Sequence, residues 1–247
     1  MIIVEGIDDI DFLRHVCIDG VIIRESYSGK LGVYKILEHF TDKASVIGIC
    51  DRDYDISDPP LNIFLYDFSC LEMMLISSES AVKKLFTQLH LPNSISREQI
   101  LKQLCWISCL RRLNYVEDLN ICFDGLRISK LFDNNSGINL DKLISELCRI
   151  NNNPSLISED RISYLNQQSY HAHNISELLW ITQGHDFLNL VQCHHSFNAT
   201  SKRKIMDVEA IRGMLYCAYT IDDFRASFLK RVIFAYEKNT NVTFFIN

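Results

Sequence analysis

The 247-residue sequence contains no run of about 18 apolar residues, so no membrane-spanning helix is expected. Its opening, MIIVEG, has no charged segment ahead of an apolar one, which argues against a secretory leader. Nine cysteines are dispersed with no Cys-x-x-Cys pair, a pattern that excludes the common zinc and dithiol motifs and fits reduced thiols in a cytoplasm. Cys105 and Cys109 share a helix face, but no second pair accompanies them, so they read as core residues rather than zinc ligands. Glycine is scarce, at nine residues, and none forms a Walker-type phosphate loop, which excludes ATP binding by that route. There is no strong positive charge: the formal net charge is −6, which counts against a nonspecific coat on nucleic acid but leaves room for a local basic groove. No RNA-recognition or helix-turn-helix signature, internal repeat or low-complexity tract is legible.

What is present centres on SVIGICDRDYD. A short apolar run, Val46–Cys50, passes directly into three acids at alternate positions, Asp51, Asp53 and Asp55. A buried parallel strand that delivers carboxylates to a sheet edge has this form. In an extended chain, Asp51 and Asp53 would face the same side. Around it, Met1–Val4 reads as a strand ending in Glu5-Gly6. Asp8 is placed to cap a helix over about residues 9–17. Val21–Ile23 is a second strand, a helix follows near Leu31–Phe40, Asn62–Leu65 is a fourth strand, and Phe68–Ser77 starts a helix with Glu72 in its early turns. This alternation predicts an α/β fold with a small, mainly parallel sheet flanked by helices. Such sheets bind ligands beyond the carboxyl ends of their strands, where Glu5 and Asp51 fall.

After about residue 78 the pattern becomes helical, with segments at 80–91, 96–113, 140–150, 175–191, 206–218 and 221–236, and weak strand signals in 121–132. Four prolines occupy only three places, at Pro59-Pro60, Pro92 and Pro154. No Gly/Ser linker separates the two textures. The expected organisation is therefore a metal-binding α/β domain over 1–78 and a mostly helical domain over 79–247 packed on it.

Glu5, Asp9, Asp51, Asp53, Asp55 and Glu72 converge near the expected sheet edge. Carboxylates from different strands suit Mg2+, which takes oxygen ligands and keeps several waters, and Mn2+ is an alternative occupant. Other readings stay open. The start of a calcium loop is one, although Ile56 stands where the loop needs glycine and Asn62 where it needs glutamate. A phosphatase with an aspartyl nucleophile, a sugar-nucleotide transferase, a receiver domain and a solvated acidic turn are the others. Glu72 is equally a favourable helix-dipole residue.

Val4-Glu5-Gly6 with Asp9, followed by a strand ending Asp51-Arg52-Asp53, resembles the TOPRIM domain of primases, topoisomerases and overcoming-lysogenization-defect nucleases. GICDRDYD, NIFLYDFSCLEMMLI and TQGHDFLNLV together resemble a family of bacterial TOPRIM-like proteins that includes the nuclease effector of the PARIS anti-phage system. The resemblance implies a metal core of Glu5, Asp51 and Asp53, with Asp9, Asp55 and Glu72 as further ligands or outer-shell groups. Lys30, after the second strand, is placed to reach the same edge as a cation for developing phosphoryl charge, or is a solvated turn lysine. His185 is a candidate substrate or general-acid contact, or a structural hydrogen-bonding group.

The activity so implied is metal-dependent endonucleolytic cleavage of RNA, including tRNA, or DNA by a toxic antiviral effector. A separate ATPase subunit that holds it inactive is implied by the fused ATPase of the lysogenization-defect nucleases. A homodimer is also implied, with the apolar tail Val242–Ile246 available for a contact. Lys202, Arg203 and Lys204 form the densest basic run and are candidates for phosphate contact, as are Arg111-Arg112 and Lys230-Arg231. Two competitors remain: a non-catalytic subunit that docks on and regulates an ATPase, and a phosphatase or nucleotidyl transferase acting on a small substrate.

Overall fold

In a computed structural model, residues 1–42, 44–55, 57–133, 137–171, 174–199 and 205–246 are described. They form two compact units, Met1–Ala81 with Tyr216–Asn247, and Val82–Leu215. The first unit is thus discontinuous in sequence, because the last helices of the chain belong with the sheet.

The first unit begins with β1 (Ile2–Val4), α1 (Ile7–Leu13), β2 (Ile23–Glu25), α2 (Gly29–Glu38), β3 (Ile47–Cys50) and β4 (Ile63–Leu65). The four strands make an all-parallel sheet in the order β2-β1-β3-β4. The fold is α/β, as the alternating pattern predicts. Strand alternation sorts its core. Ile3, Val46, Cys50, Ile63 and Leu65 pack with Val33 and Leu37 of α2 on one face. Gly48 makes this approach possible, since a Cβ there would lie 2.6 Å from Leu37 Cδ1 and 2.7 Å from Val33 Cγ1. Phe64, of the opposite parity, packs edge-on against Tyr236.

Next come α3 (Leu71–Ser77) and α4 (Glu79–Gln88). The second unit continues with α5 (Arg97–Gln103), α6 (Cys105–Val116), α7 (Ile128–Leu131), the two-stranded β5 (Phe132–Asp133) and β6 (Gly137–Ile138), α8 (Leu140–Ile150), α9 (Glu159–His171), α10 (Ile175–Ile181), α11 (Gly184–Asn198) and α12 (Val208–Ala218). The chain returns to the first unit with α13 (Ile221–Ala226) and α14 (Phe228–Thr240). Asp67, just past β4, accepts the Phe228 and Leu229 N–H groups through its two oxygens, both at 2.7 Å, and so fixes the start of α14 to the sheet edge. Phe224 of α13 packs on Phe12 and Phe245.

The tail at 242–246 is held within this unit. Cys17 and Phe245 form an antiparallel bridge. Glu237 Oε1 accepts the Phe244 and Phe245 N–H groups at 2.6 and 3.1 Å, and its Oε2 faces Lys230 Nζ at 3.3 Å. Phe244 and Phe245 are accordingly buried. All nine cysteines are free thiols. Among the described residues no helix is long and apolar enough to cross a membrane.

Candidate metal and phosphoryl-transfer site

The carboxyl ends of β1 and β3 lie side by side because Val4 pairs with Ile49 in register. The residues just beyond them, Glu5 and Asp51, are therefore neighbours. Asp51 N–H donates to Glu5 Oε1 at 2.7 Å. Asp51 Oδ1 in turn accepts from Leu71 N–H, at the start of α3, at 3.0 Å. A carboxylate at a helix N-terminus meets orphan N–H groups and the positive end of the dipole.

Asp9 enters from α1. Its Oδ2 accepts from Gly6 N–H at 3.0 Å, an acid in the first turn reaching back to the residue that precedes the helix. The cap expected at Asp8 is thus Gly6, and α1 starts two residues earlier than the sequence pattern suggests. Tyr66, fully buried at the end of β4, acts on Asp9 as a hydrogen-bond partner, although its hydroxyl misses the geometry of a full bond.

Electrostatics show how closely the acids sit. Burial pushes the Asp9 carboxyl up to about 7, with the charges of Glu5 and Glu72 adding to it against the pull of Tyr66 and Gly6 N–H. Asp51 is raised well above the usual carboxylate range by the enclosure of its carboxyl group, then by the charges of Asp9, Glu72 and Glu5. Glu5 is raised by burial and by Asp53, and lowered by the Asp51 N–H, the Lys30 charge and the Lys30 N–H. Glu5, Asp9, Asp51 and Glu72 are thus one mutually repelling group.

Asp53 is not in an extended strand. Its φ of 56° is left-handed, a region that Asp tolerates better than most residues. Its N–H bonds Ser69 O at 2.7 Å. The turn sets its side chain 3.6 Å from Lys30 Nζ, which also donates to Arg52 O at 3.1 Å. Lys30 stands in the first turn of α2, at the edge where the sequence places it, and Asp53 reaches Glu5 by charge. Asp55 is held apart: its Oδ1 accepts from Ser57 N–H and Oγ at 2.9 and 2.7 Å, and these bonds lower its carboxyl.

Carboxylate donors of this kind are the type that would suit a hard divalent cation. All are oxygens, they come from four elements, and the carboxyls of Glu5, Asp9 and Asp51 are raised first by burial and then by neighbouring acids. Their present orientation is not that of a formed metal site. Among the described residues no group of three or more His, Cys, Asp or Glu side chains is arranged to hold a metal ion. Backbone N–H groups engage one oxygen of Asp9 and one of Asp51, and Glu5 takes the N–H groups of both Asp51 and Lys30, which leaves the second oxygen of Asp9 and of Asp51 as candidate ligands.

His185 belongs to the second unit, in the first turn of α11. Its Nε2 lies 3.0 Å from Asp186 Oδ1 and 3.4 Å from Arg111 Nη2. Arg111, on α6, grips Asp186 with Nε at 2.8 Å and Nη2 at 3.2 Å and stacks over the Phe123 ring at 4.3 Å. Burial pushes the Asp186 carboxyl up, but the His185 hydrogen bond and the Arg111 charge outweigh it and leave it low. His194 and His195 are buried and make structural bonds to Gln103 Oε1 and Leu89 O. Lys202, Arg203 and Lys204 lie outside the described residues.

One residue and one pairing escaped the sequence pattern. Tyr66 carried a usable signal, its position at the carboxyl end of a strand beside the acids. The pairing of Arg111 with Asp186 spans 75 positions and has no local signature. Compared with known proteins, the chain matches no family model and no curated protein.

Proposed function

We propose that this chain is a metal-dependent phosphodiesterase of TOPRIM type, a nuclease that serves as the toxic effector of an anti-phage defence system. The observation that supports this most is the joining of Glu5 and Asp51 by a 2.7 Å hydrogen bond at the ends of adjacent parallel strands, with Asp9 and Glu72 coupled to them by charge. Glu5, Asp51 and the second oxygen of Asp9 would hold Mg2+ or Mn2+, with Glu72 and Asp53 at the margin. When bound, the ion polarises a phosphoryl oxygen and lowers the pKa of an attacking water. Lys30, held by Arg52 O beside Asp53, supplies a positive charge for the phosphoryl oxygens. The reading includes a cytoplasmic location, RNA such as tRNA or DNA as substrate, and an ATPase subunit as partner.

The test is incubation of the purified chain with labelled tRNA, single-stranded DNA and duplex DNA, in Mg2+ and in EDTA. Cleavage in Mg2+ alone, lost in Asp51→Asn, is the expected result. Turnover of a generic phosphomonoester with nucleic acids left intact would point to small-substrate phosphatase chemistry instead.

One observation favours a second reading. Glu5 and Asp51 each spend an oxygen on backbone N–H groups that hold the site's own loops together. That is also the role of carboxylates in a non-catalytic subunit that keeps the fold as a docking surface for an ATPase. Such a subunit would show no metal-dependent cleavage, and Asp51→Asn would still assemble with the partner.

A further inference from the structure

The Arg111–Asp186–His185 cluster of the helical unit is built more elaborately than packing requires. Asp186 is 1% exposed, and its one negative charge meets two basic groups. Arg111 spends only Nε and Nη2 on it. The Nη1 group carries no partner among the described residues. The face of the guanidinium rests on Phe123, which sets its plane. His185 contributes little packing, since its side chain is 52% exposed. Nε2 faces Asp186 and so leaves Nδ1 on the other edge of the ring, with no protein partner among the described residues.

A carboxylate that is already neutralised by a guanidinium does not need an imidazole as well. The Arg111 charge is spread over Nη1 as well as over the two nitrogens that face Asp186. The backbone N–H groups at the start of the 15-residue α11 add to this positive field. A fixed guanidinium with a spare amino group and a half-exposed imidazole match the oxygens of a singly charged phosphodiester.

We propose that Arg111 and His185 form a phosphate-binding subsite, oriented by Asp186, that holds a backbone phosphate of nucleic acid. The inference rests on the nuclease reading for its occupant, but its test does not depend on cleavage. Arg111 binds through Nη1 and His185 through the Nδ1 edge of its ring. Asp186 is a positioning residue, buried and out of reach of the ligand.

The experiment is fluorescence anisotropy of a short labelled single-stranded RNA with the full chain in EDTA, titrated at several salt concentrations. His185→Ala removes an exposed group and leaves the fold intact. Arg111→Met combined with Asp186→Leu removes the guanidinium without leaving a buried charge unpaired. Each variant, with an unchanged melting temperature as the control, is expected to bind about tenfold more weakly and to lower the slope of log K against log salt by about one. Affinity and slope equal to wild type in both variants would overturn the proposal, as would absence of RNA binding by wild type. Inorganic phosphate and AMP serve as competitors: displacement only at concentrations far above those of the RNA is expected, and tight displacement by AMP would make this a nucleotide site and overturn the backbone assignment. Weakened binding in the variants of a chain that cleaves nothing in Mg2+ would refute the nuclease reading alone. Cleavage by a wild-type chain whose variants bind normally would refute this subsite alone.

Discussion

Asp51 donates its backbone N–H to Glu5 Oε1 at 2.7 Å, so the ends of β3 and β1 are joined by the side chain of one candidate ligand and the backbone of the next. Asp51 then passes the connection on by accepting from Leu71 N–H. A chain of this kind ties the ends of β1 and β3 and the start of α3 together, and a metal that binds would have only the side chains to reorient. Four repelling carboxylates are nevertheless unfavourable without a cation, and that tension has consequences that can be measured.

The first concerns divalent ions. Binding to the folded state alone raises stability by mass action. Saturating Mg2+ or Mn2+ is expected to raise the melting temperature of wild type by several degrees, at about 2–4 °C per kcal/mol for a chain of this size. Asp51→Asn keeps the Oδ1 acceptor for Leu71 and removes a raised, enclosed charge. It should melt higher than wild type without metal and respond little to it. Calorimetry with and without EDTA decides the matter, and equal metal responses in the two proteins would count against the site.

The second concerns pH. The Asp9 carboxyl sits at about 7 in the folded protein, above its ordinary 3.8. Between these values the native state binds more protons than the unfolded one, so Asp9's contribution to stability falls as pH rises from about 4 to 7 and then levels. Asp9→Asn should flatten that part of the profile and be the more stable protein at pH 8. Thermal melts from pH 4 to 8 test this, and a wild-type profile that climbs across the window in parallel with the variant would contradict it.

Much of the sheet and its acids was legible in the sequence because burial on both faces leaves an uninterrupted apolar run. Ile2–Val4 and Ile47–Cys50 are such runs, and the first charged residue after each marks the sheet edge. The conformations at that edge were not legible. Gly6 replaces Asp8 as the cap because the Asp9 carboxylate bonds its N–H. Asp53 turns left-handed because Ser69 O and Lys30, distant in sequence, reward that turn. Helix breaks at Leu104 and Ser227 lack proline and glycine, and the one at Thr182-Gln183 is marked only by Gly184 after it, so the single helices expected over 96–113, 175–191 and 221–236 are each two. The helix Glu159–His171 carries only a weak apolar stripe and was not expected at all. The weak strand signals in 121–132 resolve into irregular chain over 121–127 and the short helix Ile128–Leu131, and only Phe132 enters a strand, β5. The return of α13 and α14 to the sheet is set by contacts such as Asp67 with Phe228, 161 residues apart, which local pattern does not record.

The third prediction uses that contact. Asp67→Ala leaves the first N–H groups of α14 without their acceptor. The expected cost is about 1–2 kcal/mol, as for the loss of a helix cap. Asp67→Asn, which keeps one acceptor oxygen, should cost less. Urea unfolding gives both values, and an unaltered midpoint in Asp67→Ala would show that α14 does not depend on this anchor.

The fourth uses the buried pair below the tail. Glu237→Ala removes the acceptor of Phe244 and Phe245 N–H and the carboxylate that faces Lys230, which is 5% exposed. Breaking such a pair costs about 3–5 kcal/mol. Adding Lys230→Met to Glu237→Ala should recover part of the loss, since the buried ammonium is then removed together with the carboxylate that faces it. Denaturant midpoints for the single and double variants are the readout, and additive losses would contradict the account.

The central claim is that the acids at this sheet edge cut nucleic acid. The most direct test is induced expression of wild type and Glu5→Ala in bacteria, with total RNA and genomic DNA separated from each culture, with and without the candidate ATPase subunit. The account predicts toxicity and fragmented tRNA or DNA from wild type alone. Intact nucleic acids and equal growth in both cultures under every condition would contradict it and leave the docking subunit as the reading of this fold.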